Sequence, residues 1–556
     1  MDFTHLCRRC IAASRHVRRR YDTASTIVQD REQAVITLNA GRALLLATIA
    51  ISSVFGPFAK AQQPSGPRQP ATGLDDIPRA ARGQPYWALG AILQSLQVGR
   101  PETPSAEQPP PVIPQVEGFP NSSGLAMSYL PGGPVATAGN AFFEPLGSNG
   151  RTCQTCHQPA AAWGITPPQI KAAFLASLGT APLFRPVDGA VCPSADVSTF
   201  ESRKNAYSLV LSKGLIRIGL PLPSPPALQF SIVAVQDPYN CNRDPATGLT
   251  SFGPTRPSEG IVSVYRRPLP STDLPFLTTT MWDGREPSLE SQAADAVMIH
   301  AQGTTPPTAA QVAQIVAFER GIFSAQAADY QLGFLDGGGA AGGPFALSRQ
   351  DFHIGINDVL GADPTGAKFN IDAMSLYLSW ADPEQAGQGR QGAARAAVAR
   401  GEKLFNEKPI RIAGVGGLND TLGVPTLAGS CTTCHDTPNV GNHSVKLPIN
   451  IGLVAPTAAG LDTSGLPVFT LQCDAGPLAG QVFTVTDPGK ALISGQCADI
   501  GKMKGAILRG LAARAPYFHN GGAARLEDVV EFYNVRFGIG FTDQEKADLA
   551  TFLKTL

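Results

Sequence analysis

The 556-residue sequence has no net charge with which to attract a polyanion. Its 44 Lys and Arg residues are balanced by 44 Asp and Glu residues, and no long basic run follows residue 41. Nucleic acids and anionic membrane surfaces are bound by clustered positive charge, so the composition argues against both kinds of partner. Stretches that alternate apolar and polar residues are also scarce. Because such alternation is typical of half-buried strands, its scarcity predicts a mainly α fold with long loops.

Long hydrophobic runs are scarce too, and the most prominent lies near the N-terminus. Residues 43–58 (ALLLATIAISSVFGPF) follow an Arg-rich stretch and precede Ala59-Lys60-Ala61, a small-x-small cleavage signature. The run is shorter than the ~20 residues of a typical membrane span. We therefore expect residues 1–61 to be a signal peptide or leader that is cleaved on export to the periplasm. An uncleaved N-terminal membrane anchor is the alternative.

Two copies of Cys-x-x-Cys-His carry the strongest chemical signal. They are Cys153-Gln154-Thr155-Cys156-His157 and Cys431-Thr432-Thr433-Cys434-His435. In this pattern the two thiols form thioethers with the vinyl groups of a haem, and the His ligates the iron. A zinc site built from Cys-x-x-Cys pairs is the alternative, but zinc fits the immediate His poorly and the copies lie far apart. The sequence predicts two covalently bound c-type haems, with His157 and His435 as iron ligands.

Six of the ten cysteines lie outside these motifs. Cys7 and Cys10 would be removed with the leader, so we assign them no role. The other four fall as one pair in each half of the chain. In an oxidising compartment we expect them to form the disulfides Cys192–Cys241 and Cys473–Cys497, although sequence alone does not establish the pairing.

The length is sufficient for two or three domains with apolar cores. Residues 62–120 are rich in Pro, Gln, Ser and Gly and are typical of an extended linker, interrupted by a short helix near residues 86–96. We expect residues 121–390 to form an N-terminal cytochrome c domain with inserted loops, and residues 391–556 to form a C-terminal cytochrome c domain, with one haem in each.

Helical signals are clearest around the two haem motifs. Residues 139–143 and 399–405 each look like the opening helix of a class I cytochrome c unit, which packs an aromatic side chain against the haem edge. A capping box at residues 541–545 starts an amphipathic closing helix, residues 546–556, that should cross the second opening helix. Residues 309–327 add a further helical stretch. The expected fold class is therefore mainly α, with two class I cytochrome c-type domains.

Three further stretches accompany the haem motifs in a recognisable order. They are Asn149-Gly150-Arg151, then Met281-Trp282-Asp283-Gly284-Arg285 with Ser288-Leu289-Glu290 and Gln292, then Ala515-Pro516-Tyr517-Phe518-His519-Asn520-Gly521 running into residues 526–534 (LEDVVEFYN). Over roughly residues 138–556 the sequence resembles the bacterial di-haem cytochrome c peroxidases and the related methylamine-dehydrogenase maturation enzyme, MauG. This combination is far more specific than Cys-x-x-Cys-His alone.

The resemblance implies roles for four residues in electron and proton transfer. Trp282 matches a tryptophan that lies between the two haems and relays electrons, although by itself it could simply be a buried aromatic. Gln292 matches a glutamine of the peroxide pocket. Ten residues further, relatives have a catalytic Glu, but this sequence has Gln302, whose amide cannot move a proton. His300 could supply that proton, could bind the iron directly, or could have no role.

The resemblance also bears on the ligands of the two irons. Between His157 and Met281 the sequence has neither His nor Met, so the first iron either keeps an open position or is capped by His300. In the peroxidases the second iron has a Met fourteen residues after the His of the Pro-Tyr-Phe-His motif. That count leads here to Tyr533, which the maturation enzyme also has. His519 is the rival ligand and Met503 a third, while His443 is expected to be a propionate or surface partner.

In relatives a calcium ion lies between the haems, bound by an Asn side chain and two carbonyls. Asn205 and the carbonyls of Arg514 and Pro516 match these positions, although the charge of Arg514 counts against the site. The stretch from Asn205 to Trp282 is longer than in the peroxidases, and we expect it to cover the first haem or its entrance.

These residues predict a periplasmic di-haem oxidoreductase that reduces hydrogen peroxide. Its electrons would enter at the C-terminal haem from a small donor protein (a cytochrome c or cupredoxin) or a quinol-linked donor. A di-haem oxygenase or oxidase that uses dioxygen on an organic or protein substrate, like the rubber-cleaving oxygenases or the maturation enzyme, is one alternative. A plain di-haem electron carrier is the other.

Overall fold

The computed structural model describes residues 111–242 and 261–556, and both ranges belong to the same structural unit. The predicted leader with Cys7 and Cys10, the short helix near residues 86–96 and the linker up to residue 110 lie outside the described residues. The last residues assigned to the linker form two strands, Val112–Ile113 and Val116–Pro120. No helix in the described ranges combines the length and the hydropathy that crossing a bilayer requires.

Thirteen strands in the described part of the chain form five antiparallel sheets. The strands are β1 Val112–Ile113, β2 Val116–Pro120, β3 Gly124–Tyr129, β4 Val135–Ala136, β5 Ile216–Pro221, β6 Phe230–Gln236, β7 Ile261–Arg266, β8 Phe323–Asp329, β9 Gly333–Phe334, β10 Ile410–Ala413, β11 Thr426–Gly429, β12 Val468–Cys473 and β13 Val482–Val485. The sheet orders are β1-β4, β2-β3-β8-β9, β5-β7, β13-β12-β6 and β10-β11.

Twelve α-helices accompany these sheets in the same ranges. They are α1 Pro167–Ser177, α2 Phe200–Ala206, α3 Ser208–Lys213, α4 Leu289–Ile299, α5 Ala309–Gly321, α6 Pro344–Leu347, α7 Pro383–Ala386, α8 Gly389–Glu407, α9 Asn419–Leu422, α10 Ala491–Ser494, α11 Leu526–Phe537 and α12 Asp543–Lys554.

The fold is therefore mixed α and β, and the prediction of a mainly α fold made of two class I cytochrome c-type domains is wrong. Of the described residues, 30% are helical and 17% are in strands. One cause is the long segment between Asn205 and Trp282, in which strands β5 and β7 pair in antiparallel fashion with Val262 and Val264 fully buried. A second cause is the helix predicted over residues 309–327, which ends at Gly321 and is followed by the buried strand β8.

The two segments before the haem motifs differ. Residues 139–143 form a turn rather than a helix, because Asn140 binds the backbone locally: its Oδ1 accepts from Phe142 N at 3.0 Å and its carbonyl from Phe143 N at 2.9 Å. The aromatic contact is still made, since the Phe142 ring is fully buried with its centroid 6.4 Å from that of His157.

In the C-terminal half, α8 and α12 cross at close range, as the sequence predicted. A Cβ atom on Gly401 would lie 2.2 Å from the carbonyl oxygen of Asp548, so only glycine permits this approach of the two helices. Arg400 Nε donates to Asp548 Oδ2 at 2.7 Å beside the crossing. Thr542 caps α12 by accepting from Glu545 N at 3.2 Å. Phe405 of α8 reaches the second haem motif, 5.7 Å from His435 between ring centroids.

One sheet joins the two halves of the chain. Strand β6 from the first half pairs with β12 from the second, and Phe230, Ile232, Phe469 and Leu471 in these strands are fully buried. The two cysteine pairs predicted from the sequence lie at disulfide distance. Cys473, at the end of β12, is 6.0 Å from Cys497 between Cα atoms, and the corresponding distance for Cys192 and Cys241 is 5.4 Å.

Candidate functional site

The first Cys-x-x-Cys-His motif starts with a single 3-10 turn, Cys153–Thr155. The turn is capped from within, because Thr152 N donates to Thr155 Oγ1 at 3.0 Å. The backbone N–H groups of Cys156 and His157 both donate to the carbonyl of Cys153, at 3.2 and 3.0 Å. This compact backbone directs both thiols and the imidazole into the same space, which we call the first cavity.

The His157 ring is oriented through its Nδ1 atom, which lies 3.1 Å from the carbonyl oxygen of Trp163. A carbonyl can only accept, so Nδ1 carries the proton and Nε2 keeps its lone pair. Burial lowers the pKa of His157 to about 4, outweighing the hydrogen bond to Trp163. The ring is therefore neutral, which is the form in which imidazole binds a metal.

The remaining wall of the first cavity is mostly apolar. Leu274, Leu277, Val297 and Ile315 contribute side chains, and Ile216 and Ile218 come from β5 of the long segment between Asn205 and Trp282. This segment therefore lines the cavity, in keeping with the expectation that it covers the first haem. Helix α4, which begins with the Ser288 cap, carries Gln292 and presents His300 at its C-cap, and both line the same cavity.

His300 makes a hydrogen bond that the sequence did not indicate. Its Nδ1 atom lies 2.6 Å from Oδ2 of Asp188, whose other oxygen accepts from Arg151 Nη1, also at 2.6 Å. Asp188 and Arg151 are only 3% and 4% exposed. Arg151 and the side chain of Asn149 both donate to the carbonyl of His300, at 3.1 and 2.8 Å. The residues that lead into the first haem motif thus fix His300 in place.

The second motif repeats the construction of the first. A 3-10 turn, Cys431–Thr433, is capped by Ser430, whose N–H donates to Thr433 Oγ1 at 3.0 Å. His435 Nδ1 lies 2.5 Å from the carbonyl oxygen of Gly441, and burial lowers the pKa of His435. Both thiols and His435 line a separate space, which we call the second cavity.

Four side chains in the second cavity could act as a further iron ligand. Tyr533 of α11, His519, Met503 and His443 all line it. Neither ring nitrogen of His519 has a hydrogen-bond partner among the described residues, and the same holds for Nε2 of His443. Tyr533 is half-buried and stacks on Phe537 at 6.2 Å. His443 is only 4% exposed, so the surface role considered for it is wrong.

A common wall separates the two cavities. Trp282, Arg267, Lys504 and Arg514 line both of them. The indole Nε1 of Trp282 donates to the carbonyl of Arg267 at 2.8 Å, and the ring centroid lies 6.1 Å from that of His519. The tryptophan singled out by the sequence is therefore held in one orientation between the two haem motifs.

Three basic side chains, Arg267, Lys504 and Arg514, meet in the common wall. Burial lowers the pKa of Lys504 to about 7. Burial and the charge of Arg514 lower the pKa of Arg267 to about 10. The Nε atom of Arg514 is buried without a hydrogen-bond partner among the described residues. Buried cations without anionic partners are costly, so this wall is suited to an anionic group that enters both cavities.

A buried ion cluster includes Asp283, the residue that follows Trp282 in the chain. Arg266, at the end of β7, donates from Nε and Nη2 to Asp487 at 2.7 and 2.9 Å, and from Nη1 to Asp283. Arg285 donates to Asp283 at 3.0 Å. Arg266, Asp283 and Asp487 are all at most 2% exposed. We call these four residues the Arg266 cluster. It joins the Trp-Asp-Gly-Arg segment to both halves of the chain.

The residues of both cavities fit a covalently bound haem. Each cavity is lined by two half-buried cysteines and an imidazole whose Nδ1 is hydrogen-bonded to a carbonyl, which is the donor set of a c-type site. The cations of the common wall fit the carboxylate side chains that a haem carries. In the described ranges, no cluster of three or more His, Cys, Asp or Glu side chains offers a separate metal site.

Two sets of predicted residues lie elsewhere. Gln302 is exposed and does not line the first cavity; its Oε1 accepts from Asn149 Nδ2 at 3.2 Å. Of the three residues considered for calcium, Asn205 is exposed on α2, and the carbonyl of Arg514 already accepts from the guanidinium of Arg267 at 3.0 Å. The positive charge of the Arg267 guanidinium at this carbonyl disfavours a calcium ion there. The third residue, Pro516, lines the second cavity.

Several residues of the site were missed in the sequence. Asp188, Arg267 and Lys504 stand in no motif, and their roles arise from contacts between distant segments. Glu319 of α5 also lines the first cavity, where one carboxylate oxygen accepts from Ser271 Oγ at 3.0 Å and the other has no hydrogen-bond partner among the described residues. Burial raises the pKa of Glu319 to about 7. A Glu on the apolar side of a helix was the available signal.

Comparison with known proteins gives weak but consistent matches. No protein-family model matches the chain. It is 30% identical over 153 residues to cytochrome-c peroxidase IdrP2 of Denitromonas iodatirespirans, a match that covers 25% of this chain and 38% of the relative. It is 39% identical over 69 residues to cytochrome-c peroxidase IdrP1 of the same organism, covering 10% of this chain and 18% of the relative. The matched regions thus span less than two fifths of either relative.

Among solved structures, a MauG-like protein associated with microbial copper homeostasis is similar at 18% identity and a TM-score of 0.28. That match covers 53% of this chain and 74% of the other. The two sequence matches are both to cytochrome-c peroxidases and agree with the resemblance to the cytochrome c peroxidases predicted from the motifs.

Proposed function

From this relationship we propose that the chain is an exported, periplasmic di-haem oxidoreductase of the cytochrome-c peroxidase type. It reduces hydrogen peroxide in the first cavity with electrons that enter at the second. The observation that carries the proposal is the position of Trp282, which lines both cavities while each cavity holds a complete Cys-x-x-Cys-His motif. An aromatic side chain at this point can relay electrons from one site to the other.

Haem c, when bound through the four cysteines, His157 and His435, supplies iron that exchanges electrons and binds peroxide. The protein then supplies position, charge and proton transfer. The amide of Gln292 can hold peroxide by hydrogen bonds, and the apolar wall of the first cavity limits bulk water. Arg267, Lys504 and Arg514 balance the negative charge of the haem carboxylates. The electron donor that suits the second cavity is a small cytochrome c or cupredoxin, or a quinol-linked donor.

Trp282→Phe tests the electron relay and the proposed function together. Phenylalanine keeps an aromatic ring but is much harder to oxidise than indole and loses the hydrogen bond to Arg267. We expect transfer between the two sites to slow by about tenfold or more, equivalent to about 1.4 kcal/mol in the barrier. The measurement is peroxide turnover with a reduced cytochrome c, together with stopped-flow re-oxidation of the second haem.

Trp380→Phe is the matched control, because Trp380 is a fully buried tryptophan that lines neither cavity. It should leave the rate of transfer unchanged at equal haem content. If Trp282→Phe also turns over peroxide at the wild-type rate, Trp282 is only a packing residue. Wild-type protein with two haems and no peroxide turnover would refute the proposed function.

One observation favours an oxygenase as the second candidate. Ile216 and Ile218 of the long inserted segment line the first cavity, and the family's catalytic Glu position, here Gln302, lies outside it. An apolar organic substrate could contact this wall. Oxygen consumption that depends on an apolar substrate, without peroxide turnover, would establish this alternative.

A further test concerns the ligand of the second iron. We propose Tyr533, and we expect Tyr533→Phe to open this site, raise its reduction potential and reduce turnover, because the phenolate oxygen is removed while the ring stays. The readouts are the haem spin state and cyanide binding at the second site. Tyr517→Phe is the control: its hydroxyl lies in the same cavity but donates to the carbonyl of Leu511 at 2.9 Å. A low-spin signal that survives in Tyr533→Phe and disappears in His519→Ala would identify His519 as the ligand.

A further inference from the structure

We propose that Asp188 is a positioning residue that makes His300 the proton-transfer group of the first cavity, in place of the carboxylate of the peroxidases. This inference rests on the proposed peroxidase function and deepens it. The resemblance places the catalytic Glu of relatives at Gln302, which is exposed and outside the cavity. His300, two residues earlier, lines the cavity in the same space as His157.

The geometry determines which ring nitrogen of His300 is available. Nδ1 lies 2.6 Å from Oδ2 of Asp188, whereas Nε2 has no hydrogen-bond partner among the described residues. An ionised carboxylate can only accept, so Nδ1 carries the proton and Nε2 has the free lone pair. The His300 side chain is 29% exposed, which allows proton exchange with solvent.

Arg151 keeps the carboxyl group of Asp188 ionised, so that it can accept the hydrogen bond from Nδ1 of His300. Burial by itself would raise the pKa of Asp188, but the charge of Arg151 and the contact with His300 hold it below its usual value. Arg151 is in turn fixed by the carbonyls of Pro182 and Leu183, both at 2.8 Å. The titratable groups around the His300 ring are thus Asp188, with Arg151 behind it, and His157, whose pKa is lowered mainly by burial and further by the charge of His300.

Nε2 of His300 accepts the proton from one oxygen of hydrogen peroxide and returns it to the other oxygen as the O–O bond breaks, so that this oxygen leaves as water. The remaining oxygen becomes a second water with two protons from solvent and two electrons. Both electrons come from the reduced donor protein by way of the second cavity and Trp282. Overall, one peroxide, two protons and two electrons give two waters.

Three variants test the proposal. His300→Gln keeps a polar side chain but cannot move a proton, and we expect kcat/KM for peroxide to fall by about 100-fold or more. Asp188→Asn keeps the shape but not the charge, and we expect a loss of about 10- to 100-fold. In the double variant the loss should equal that of His300→Gln alone, because Asp188 acts through His300. His353→Gln is the matched control: His353 makes a similar pair with Asp363, at 3.2 Å, on an exposed loop.

Cyanide binding to the oxidised protein gives a readout independent of turnover. Hydrogen cyanide must lose its proton to bind as the anion, so the association rate at neutral pH should fall in His300→Gln and Asp188→Asn but not in His353→Gln. A wild-type protein without peroxide turnover that still shows this pattern would refute the peroxidase function and retain the His300 role. Wild-type rates of cyanide association and turnover in His300→Gln would overturn the inference. So would faster cyanide binding with a change to high spin in that variant, because His300 would then be an iron ligand.

Discussion

Replacing Cys153 and Cys156 together by alanine is expected to remove one haem and all peroxide turnover while leaving the spectrum of the second haem intact. Both thiols line the first cavity with His157, and the second motif lies in a cavity of its own. Without thioethers the first haem has no covalent attachment, and the remaining site lacks the Gln292 and His300 side chains proposed for the reaction. Haem staining after denaturation and intact-protein mass would count the attached haems.

The second cysteine pair gives the matched control. Replacing Cys473 and Cys497 by serine also removes two sulfur atoms. These two cysteines have their Cα atoms 6.0 Å apart, and they line neither cavity. That variant should keep two haems and wild-type turnover, with reduced thermal stability. Fewer than two attached haems in the wild-type protein would contradict the prediction that both Cys-x-x-Cys-His motifs bind haem.

Asp487→Ala is expected to cost about 3–5 kcal/mol of unfolding free energy, because it leaves the Arg266 cluster with a buried, uncompensated positive charge. Two arginines face two aspartates in the cluster, and Asp487 holds Arg266 through two hydrogen bonds at 2.7 and 2.9 Å. Burial would disfavour the Arg266 charge, but Asp487 and Asp283 raise its pKa well above the usual range. The charge therefore persists when one partner is removed. Denaturant unfolding of the haem-loaded protein at neutral pH measures the effect.

An exposed ion pair supplies the comparison for that experiment. Glu201 lies 3.6 Å from Lys204 with both side chains mostly exposed, so Glu201→Ala should change stability by about 0–1 kcal/mol. Asp487→Asn should be intermediate, since the amide can still accept from Gly489 N, which lies 2.7 Å from Oδ1. If Asp487→Ala lowers the unfolding free energy by only as much as Glu201→Ala does, water must solvate the Arg266 cluster in solution.

Local patterns predicted local structure well in this chain. The Thr542 capping box predicted the start of the closing helix. The two Cys-x-x-Cys-His motifs form the same capped turn, because the hydrogen bonds that hold each turn join residues close together in the sequence. The predicted cysteine pairs also lie at disulfide distance. This pairing could be predicted because each half of the chain has only one pair of cysteines outside the haem motifs and the leader. Trp282 was predicted between the two sites, and the structure shows that it lines both cavities.

Most of the predictions that failed depended on partners far away in the chain, whereas the turn at residues 139–143 has a local cause. Strand β6 is stabilised by β12 of the other half, so its short sequence carries no sign of that pairing. Residues 139–143 resemble a helix start, but the local hydrogen bonds of Asn140 produce a turn. Asp188 could not be identified because its importance comes from Arg151 and His300, which are remote in sequence. Gln302 follows the family spacing, yet its contact with Asn149 keeps it away from the cavity.

The sheet that joins β6 to β12 bears on how the chain reaches its native state. A strand of the N-terminal half cannot complete its hydrogen bonds until residues of the C-terminal half are available, so closure of a very long loop must precede completion of this core. Until then Phe230 and Ile232 are exposed on an unpaired edge, a state prone to aggregation. A fragment that carries only the first Cys-x-x-Cys-His motif would therefore lack the strand that pairs with β6.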